Sequence, residues 1–263
     1  MTELVTVTIK NHIADVRLNR PEKMNAITIE LMHALVAAAE SIKSNRSVRV
    51  AVISGEGRAF CAGLDLSNFA DDKDAPNPFI NSNGSYPNEA QASAYCWKQL
   101  PVPVICALHG VAFGGGLQIA LGADIRIAHP ETRLSVMEVK WGLVPDMSAT
   151  QTLRDLVRID VAKELTFTGR VFYADEGASL GLVTRLSDTP FEDAYKIAEE
   201  IASKNPDAVC AAKRLYNDSW HGDDRKGLQM EEKLQGELMM SENQIESVRA
   251  GMEKRAANFK DRR

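Results

Sequence analysis

Residues Ile105 to Ala123 read ICALHGVAFGGGLQIALGA, and the fold turns on how this stretch is parsed. Val102, Val104, Ile105, Ala107 and Leu108 form an apolar run with the make-up of a buried strand. The consecutive glycines Gly114, Gly115 and Gly116 follow, and then a short helical run. A chain that passes from strand through bare backbone into a helix N-terminus leaves N–H groups without acceptors, backed by the positive end of the helix dipole. Such a place suits a developing negative charge. A tight turn against a neighbouring helix would use the same residues.

Upstream, Val5, Val7 and Ile9 alternate, then Ile13, Val16 and Leu18, with Asn11-His12 between them, which predicts a β-hairpin. Thr28 can cap a helix that carries Ile27, Leu31, Leu35, Ala38 and Ile42 at helical spacing. Val48–Ile53 predicts a short buried strand, 67–88 a polar surface loop, and 89–100 a helix. Downstream, strands are expected at Ile125–Ala128 and Leu134–Val136, helices at about 148–158, 160–167 and 174–180, and a short strand at Val183–Leu186. The last third reads as helices over 191–203, 206–217 and 224–240. Ser241 and Gln244 then make a capping-box pattern that opens a final helix with Ile245, Val248, Met252, Ala256 and Phe259 on one face.

The chain has 263 residues and a net charge of −5, which argues against a nucleic-acid or anionic-membrane role. No stretch is apolar for the roughly 18 residues a membrane span needs, and MTELVTVTIK lacks the pattern of a secretory leader, so a cytoplasmic location is expected. Cys61, Cys96, Cys106 and Cys210 are scattered and read as free thiols in a reducing compartment. The histidines show no metal-site spacing, so no metal is expected. Neither a G-x-S-x-G nucleophile elbow nor a nucleotide-binding glycine motif occurs.

Three segments carry a resemblance to a known family: Asn19-Arg20-Pro21-Glu22-Lys23-Met24-Asn25-Ala26, Gly57-Arg58-Ala59-Phe60-Cys61-Ala62-Gly63-Leu64-Asp65-Leu66, and His109-Gly110-Val111-Ala112-Phe113-Gly114-Gly115-Gly116. In order and spacing they resemble signature segments of the crotonase superfamily, the enoyl-CoA hydratase/isomerase family. Gly169-Arg170, with Ala174-Asp175-Glu176-Gly177-Ala178, is similar to a later one. The resemblance implies an α/β fold, a spiral of ββα repeats over 1–190 with a C-terminal helical oligomerisation region over 191–263. It implies a homotrimer or homohexamer, an acyl-CoA substrate, and no tightly bound cofactor, coenzyme A being part of the substrate. The backbone N–H groups of Leu64 and Gly115 match the family's oxyanion hole. Lys23, Met24, Ala26, Ala62, Asp65, Leu66 and Gly114 match segments that border the coenzyme.

Family hydratases use two glutamates to place one water. Here the first position is Gln118, a neutral side chain that cannot accept a proton as a base, and the second is Glu138. Asp146 follows eight residues after Glu138. Two carboxylates in one pocket would push their proton affinities apart, leaving one acid and one base. The expectation is therefore a shift of a double bond in an enoyl- or dienoyl-CoA, with Glu138 and Asp146 as catalytic residues. Hydration, thioester hydrolysis and non-catalytic coenzyme A or RNA binding are the alternatives. For Asp146, a helix N-cap before Ser148 is the structural alternative. Trp97, Trp141, Met147 and Phe79 are candidate walls of the acyl pocket.

Overall fold

Asn11 and His12 both have positive φ, 51° and 67°. This two-residue turn folds strand β1 (Val5–Lys10) back on β2 (Ile13–Leu18). Two left-handed residues in succession match the right-handed twist of the strands they join. This computed structural model describes residues 3–65, 78–80, 84 and 86–263. Most of the expected 67–88 loop, and Leu66 beside it, lie outside the described residues. After the hairpin come α1 (Ile29–Ser44), β3 (Val50–Gly55), α2 (Glu89–Gln99), β4 (Val104–Leu108), β5 (Val111–Phe113), α3 (Gly115–Leu121), β6 (Ile125–Ala128) and β7 (Arg133–Ser135). The chain continues through α4 (Ala149–Leu153), α5 (Ile159–Thr168), β8 (Phe172–Tyr173), α6 (Ala174–Leu180) and β9 (Arg185–Leu186). It then runs through α7 (Pro190–Ala202), α8 (Pro206–Ser219), α9 (Asp224–Leu238) and α10 (Glu242–Glu253).

Among the described residues, the main sheet has six strands in the order β1-β2-β3-β4-β6-β9, parallel from β2 onward. The three strands β5, β7 and β8 form a second, smaller sheet. Each pass of the chain lays a strand in the first sheet, a short strand in the second, and then a helix. β4–β5–α3 is one pass, and β6–β7 followed by α4 is the next. β3 follows the same pattern, because Cys61 beyond its end bridges Ala112 of β5 in parallel. The architecture is the ββα spiral that the sequence implied.

Side-chain alternation assigns the two faces of the main sheet. Ala51 and Ile53 pack with Leu31, Leu35 and Ile42 of α1, while Val50, Val52, Ile105 and Ile127 pack with Ala194, Ala198 and Ala202 of α7. Burying strands on both faces requires continuous apolar runs such as VAVI and VICAL. Each fully buried Leu or Ile stabilises the fold by roughly 1.5–3 kcal/mol relative to exposure. Thr28 caps α1, its hydroxyl accepting the Leu31 N–H at 3.2 Å. α7 thus closes the second face of the sheet, although spacing alone assigned it to the C-terminal helical region. All four cysteines are free, and burial pushes the Cys61 thiol up to about 12.

Two of the expected helices end several residues early. The helix expected over 148–158 stops at Leu153. The last helix stops at Glu253, where Lys254 turns left-handed at φ 52° and the Arg255 N–H returns to the Ala250 carbonyl at 3.1 Å. Ala256 and Phe259 therefore lie beyond the helix. The terminal residues instead run back to α1. There the Arg262 guanidinium, 7% exposed, donates to the carbonyls of Ile42, Lys43, Asn45 and Val48 at 2.7–3.1 Å. A cation at the C-terminus of α1 also complements the helix dipole. Arg262→Ala leaves those buried carbonyls without their donor and is expected to destabilise the fold by about 1–3 kcal/mol, read as a lower urea midpoint. An unchanged midpoint would show that the terminal residues do not anchor α1.

Candidate active site

Asn25, wholly buried and left-handed at φ 55°, ties together the two loops that precede the glycine segment. Its side-chain N–H groups donate to the carbonyls of Glu56, Ala59 and Phe60 at 2.9–3.0 Å, and its Oδ1 accepts the Arg20 N–H at 2.8 Å. The 55–61 loop is thereby held against the 20–25 turn. Next in the chain, the Cys61 N–H donates to Val111 O and the Phe113 N–H donates to Cys61 O, so the second loop runs alongside β5.

That pairing brings the loops into direct backbone contact. Gly63 has φ 91°, and a Cβ there would lie 2.7 Å from the Phe113 carbonyl oxygen. Only glycine permits both the conformation and the approach. On the other side, the Ile27 N–H donates to Gly63 O and the Asp65 N–H donates to Ile27 O, so this ladder skips Leu64. Gly114 bonds through its N–H to Ser135 O, and Gly115 is the first residue of α3. Among the described residues, the Leu64 and Gly115 amides thus have no acceptor, and both residues border one cavity of about 280 Å³. Met147 and Ile27 press on Gly115, where a Cβ would meet Met147 Sδ at 2.6 Å.

Glu138 opens a short 3-10 turn, Glu138–Trp141, and enters the same cavity while only 8% exposed. The Gln118 side-chain N–H donates to its Oε1 at 2.6 Å, and Oε2 has no hydrogen-bond partner among the described residues. Gly114 leaves room for this carboxylate, since a Cβ there would come within 3.2 Å of Oε1. Burial raises the Glu138 pKa above the ordinary glutamate value. Its own backbone amide and Gln118 pull it down, and the negative charge of Asp146 adds to the rise. Asp146, half-buried in the cavity wall, is likewise raised, by burial. It does not cap α4. Ser148 occupies that position, left-handed at φ 72° and with no side-chain capping bond.

The cavity brings together Glu138, Asp146, Leu64, Gly115, Gly114 and Ala62 of the residues singled out from sequence. Lys23, Met24, Ala26 and Asp65 are not in its wall. They form the neighbouring edge, where Arg20 bonds both the Ala26 carbonyl and Asp65, and Met24 O accepts the Ala62 N–H. Phe79, Trp141 and Met147 do wall the cavity. Trp97 does not; it is fully buried in the core beneath α2. Gly63 and Gln118 line the cavity too, and so do Phe113, Met137, Leu143 and Val144, four residues not singled out from sequence. A signal existed for the last two, an apolar pair beside Trp141 that the fold leaves largely exposed.

Residues 8–262 match the family model for enoyl-CoA hydratase/isomerase. The chain is 31% identical to a mitochondrial methylglutaconyl-CoA hydratase of Mus musculus, over 92% of this chain and 78% of that protein. It is 32% identical to the mevalonyl-coenzyme A hydratase SIDH of Beauveria bassiana, over 95% and 92%. The crystal structure of an enoyl-CoA hydratase from Bacillus anthracis superposes with a TM-score of 0.88 at 31% identity, covering 98% of this chain and 99% of the other. With its spiral fold and a carboxylate-bearing cavity where the glycine loops meet, this chain belongs to the enoyl-CoA hydratase/isomerase family of the crotonase superfamily and is an enzyme of that family.

Proposed function

We propose that the enzyme moves a double bond along an enoyl- or dienoyl-CoA ester, with Glu138 carrying the proton. The observation that supports this reading is a single buried carboxylate, Glu138, paired with the neutral Gln118 in an apolar cavity bordered by two acceptor-free amides. Glu138 removes a proton beside the thioester carbonyl. The C–H electron pair flows into a dienolate whose oxygen accepts the N–H groups of Leu64 and Gly115. The proton then returns at the far end of the conjugated system, and the double bond has moved. Losing one such donor typically costs about 3–4 kcal/mol of transition-state stabilisation. Asp146 is the second carboxylate and divides the proton work with Glu138. Lys23, Met24, Ala26, Ala62, Asp65, Leu66 and Gly114 border the coenzyme A portion of the substrate.

Hydration is the second reading, favoured by the names of the relatives. In it, Glu138 alone would activate the water. A product assay across 2-enoyl, 3-enoyl, 3,5-dienoyl and 3-hydroxyacyl CoA esters separates the two, because only isomerisation leaves the mass unchanged. We also propose a homotrimer or homohexamer assembled through the C-terminal helices, where Met240 and Met252 are 75% and 80% exposed. A monomer in sedimentation at micromolar concentration would contradict it.

Glu138→Gln should lower kcat by ~10²–10⁴ while leaving acyl-CoA binding intact. The same variant should be at least as stable as the parent at neutral pH. A raised carboxyl pKa contributes stability below the unfolded value, and that contribution is lost as pH rises through the folded one. Full turnover in this variant removes Glu138 from the mechanism. For the parent, kcat/KM should rise with pH along a limb above the ordinary glutamate pKa of about 4.3, since the base must be ionised. Asp146→Asn removes a like charge, so it should move that limb to lower pH as well as slow turnover. A stationary limb would mean the two carboxylates do not act on one another.

A further inference from the structure

Gln118 is 2% exposed, and both ends of its side-chain amide are occupied. Its Oε1 accepts the Ala149 N–H at 3.1 Å, and its Nε2–H donates to Glu138 Oε1 at 2.6 Å. The first bond fixes the second. With the oxygen committed to the first amide of α4, only the NH2 end can face the carboxylate. The left-handed turn at Ser148 aims the Ala149 N–H at this acceptor, which links α4 to the cavity through one side chain. Gln118 is also the only side chain that hydrogen-bonds Glu138 among the described residues, since Oε2 has no partner. Among the described residues, the other titratable group of the cavity is Asp146, which carries no donor when ionised; Gly114, Met137 and Met147 around it are uncharged.

We propose that Gln118 is a positioning residue for Glu138. Its clamped amide holds the carboxylate in one rotamer as an ionised acceptor, and because it has no carboxyl proton of its own to share, it keeps proton transfer on Glu138. The inference rests on the isomerase reading above for its role in turnover, but the hydrogen-bond relay can be tested without any reaction. Burial works against the ionised form of Glu138, and the Gln118 donor opposes that effect.

The experiment is an infrared titration of the Glu138 carboxyl in protein labelled with 13C-glutamate, with Glu138→Gln as the blank, run beside the pH profile of kcat/KM. Gln118→Met keeps the bulk and removes the donor. Its Glu138 midpoint should rise by about one pH unit or more, and the rate limb should move with it. Gln118→Glu keeps the shape and the Ala149 bond should the Met variant fail to fold. There the two carboxyls should titrate in two steps, the upper one above the parent's midpoint. A folded Gln118→Met or Gln118→Glu that titrates like the parent overturns the proposal. So does a rate that falls while its limb stays in place, the mark of a merely structural role. Absence of isomerisation in the parent would instead overturn the isomerase reading, and the infrared midpoint would still decide the relay.

Discussion

At Gly63 and Phe113 two loops meet with no space for a side chain between them, and the rest of the site follows from that contact. The approach is set by hydrogen bonds on either side. Cys61 pairs with β5, Ile27 pairs with Gly63 and Asp65, and Asn25 holds the preceding loop by three carbonyls. The Ile27 bonds to Gly63 and Asp65, and the bond from Gly114 to Ser135, use the residues flanking Leu64 and Gly115 and leave those two amides over. Secondary structure normally consumes backbone donors, and buried ones are rarely left unpaired. Among the described residues, two amides without acceptors therefore border one cavity.

The carboxylate opposite is built with similar economy. Glu138 stands at the start of a short turn, against a glycine that gives it room. Burial raises its proton affinity and Asp146 raises it further, while its own backbone amide and Gln118 lower it. A carboxylate held in this way is costly to the fold, because a buried carboxylate oxygen with no partner among the described residues is destabilising.

Much of this was legible in the sequence, for identifiable reasons. The parallel strands announced themselves as apolar runs, and Thr28 and the glycine segment marked helix starts that the structure places within a residue or so. The family resemblance points to Glu138, Asp146, Leu64 and Gly115, and the fold brings them to one cavity. Position alone could not say that Gln118 is more than an absent acid, since its bond to Ala149 depends on a left-handed Ser148 that no pattern foretold. The early end of α10 was hidden for a similar reason. Apolar spacing ran on through Ala256 and Phe259, but the backbone reversed at Lys254 so that Arg262 could reach α1. Short strands such as β5 and β8 carry too few residues for alternation to register.

The most direct test of the two amides is the isotope-edited infrared spectrum of a saturated acyl-CoA, 13C-labelled at the thioester carbonyl, bound to the enzyme. If both N–H groups reach that oxygen, the carbonyl stretch of the bound ester must fall to lower frequency than in water, where its hydrogen bonds are weaker and less aligned. A carbonyl stretch at its aqueous position, or above it, would contradict the account.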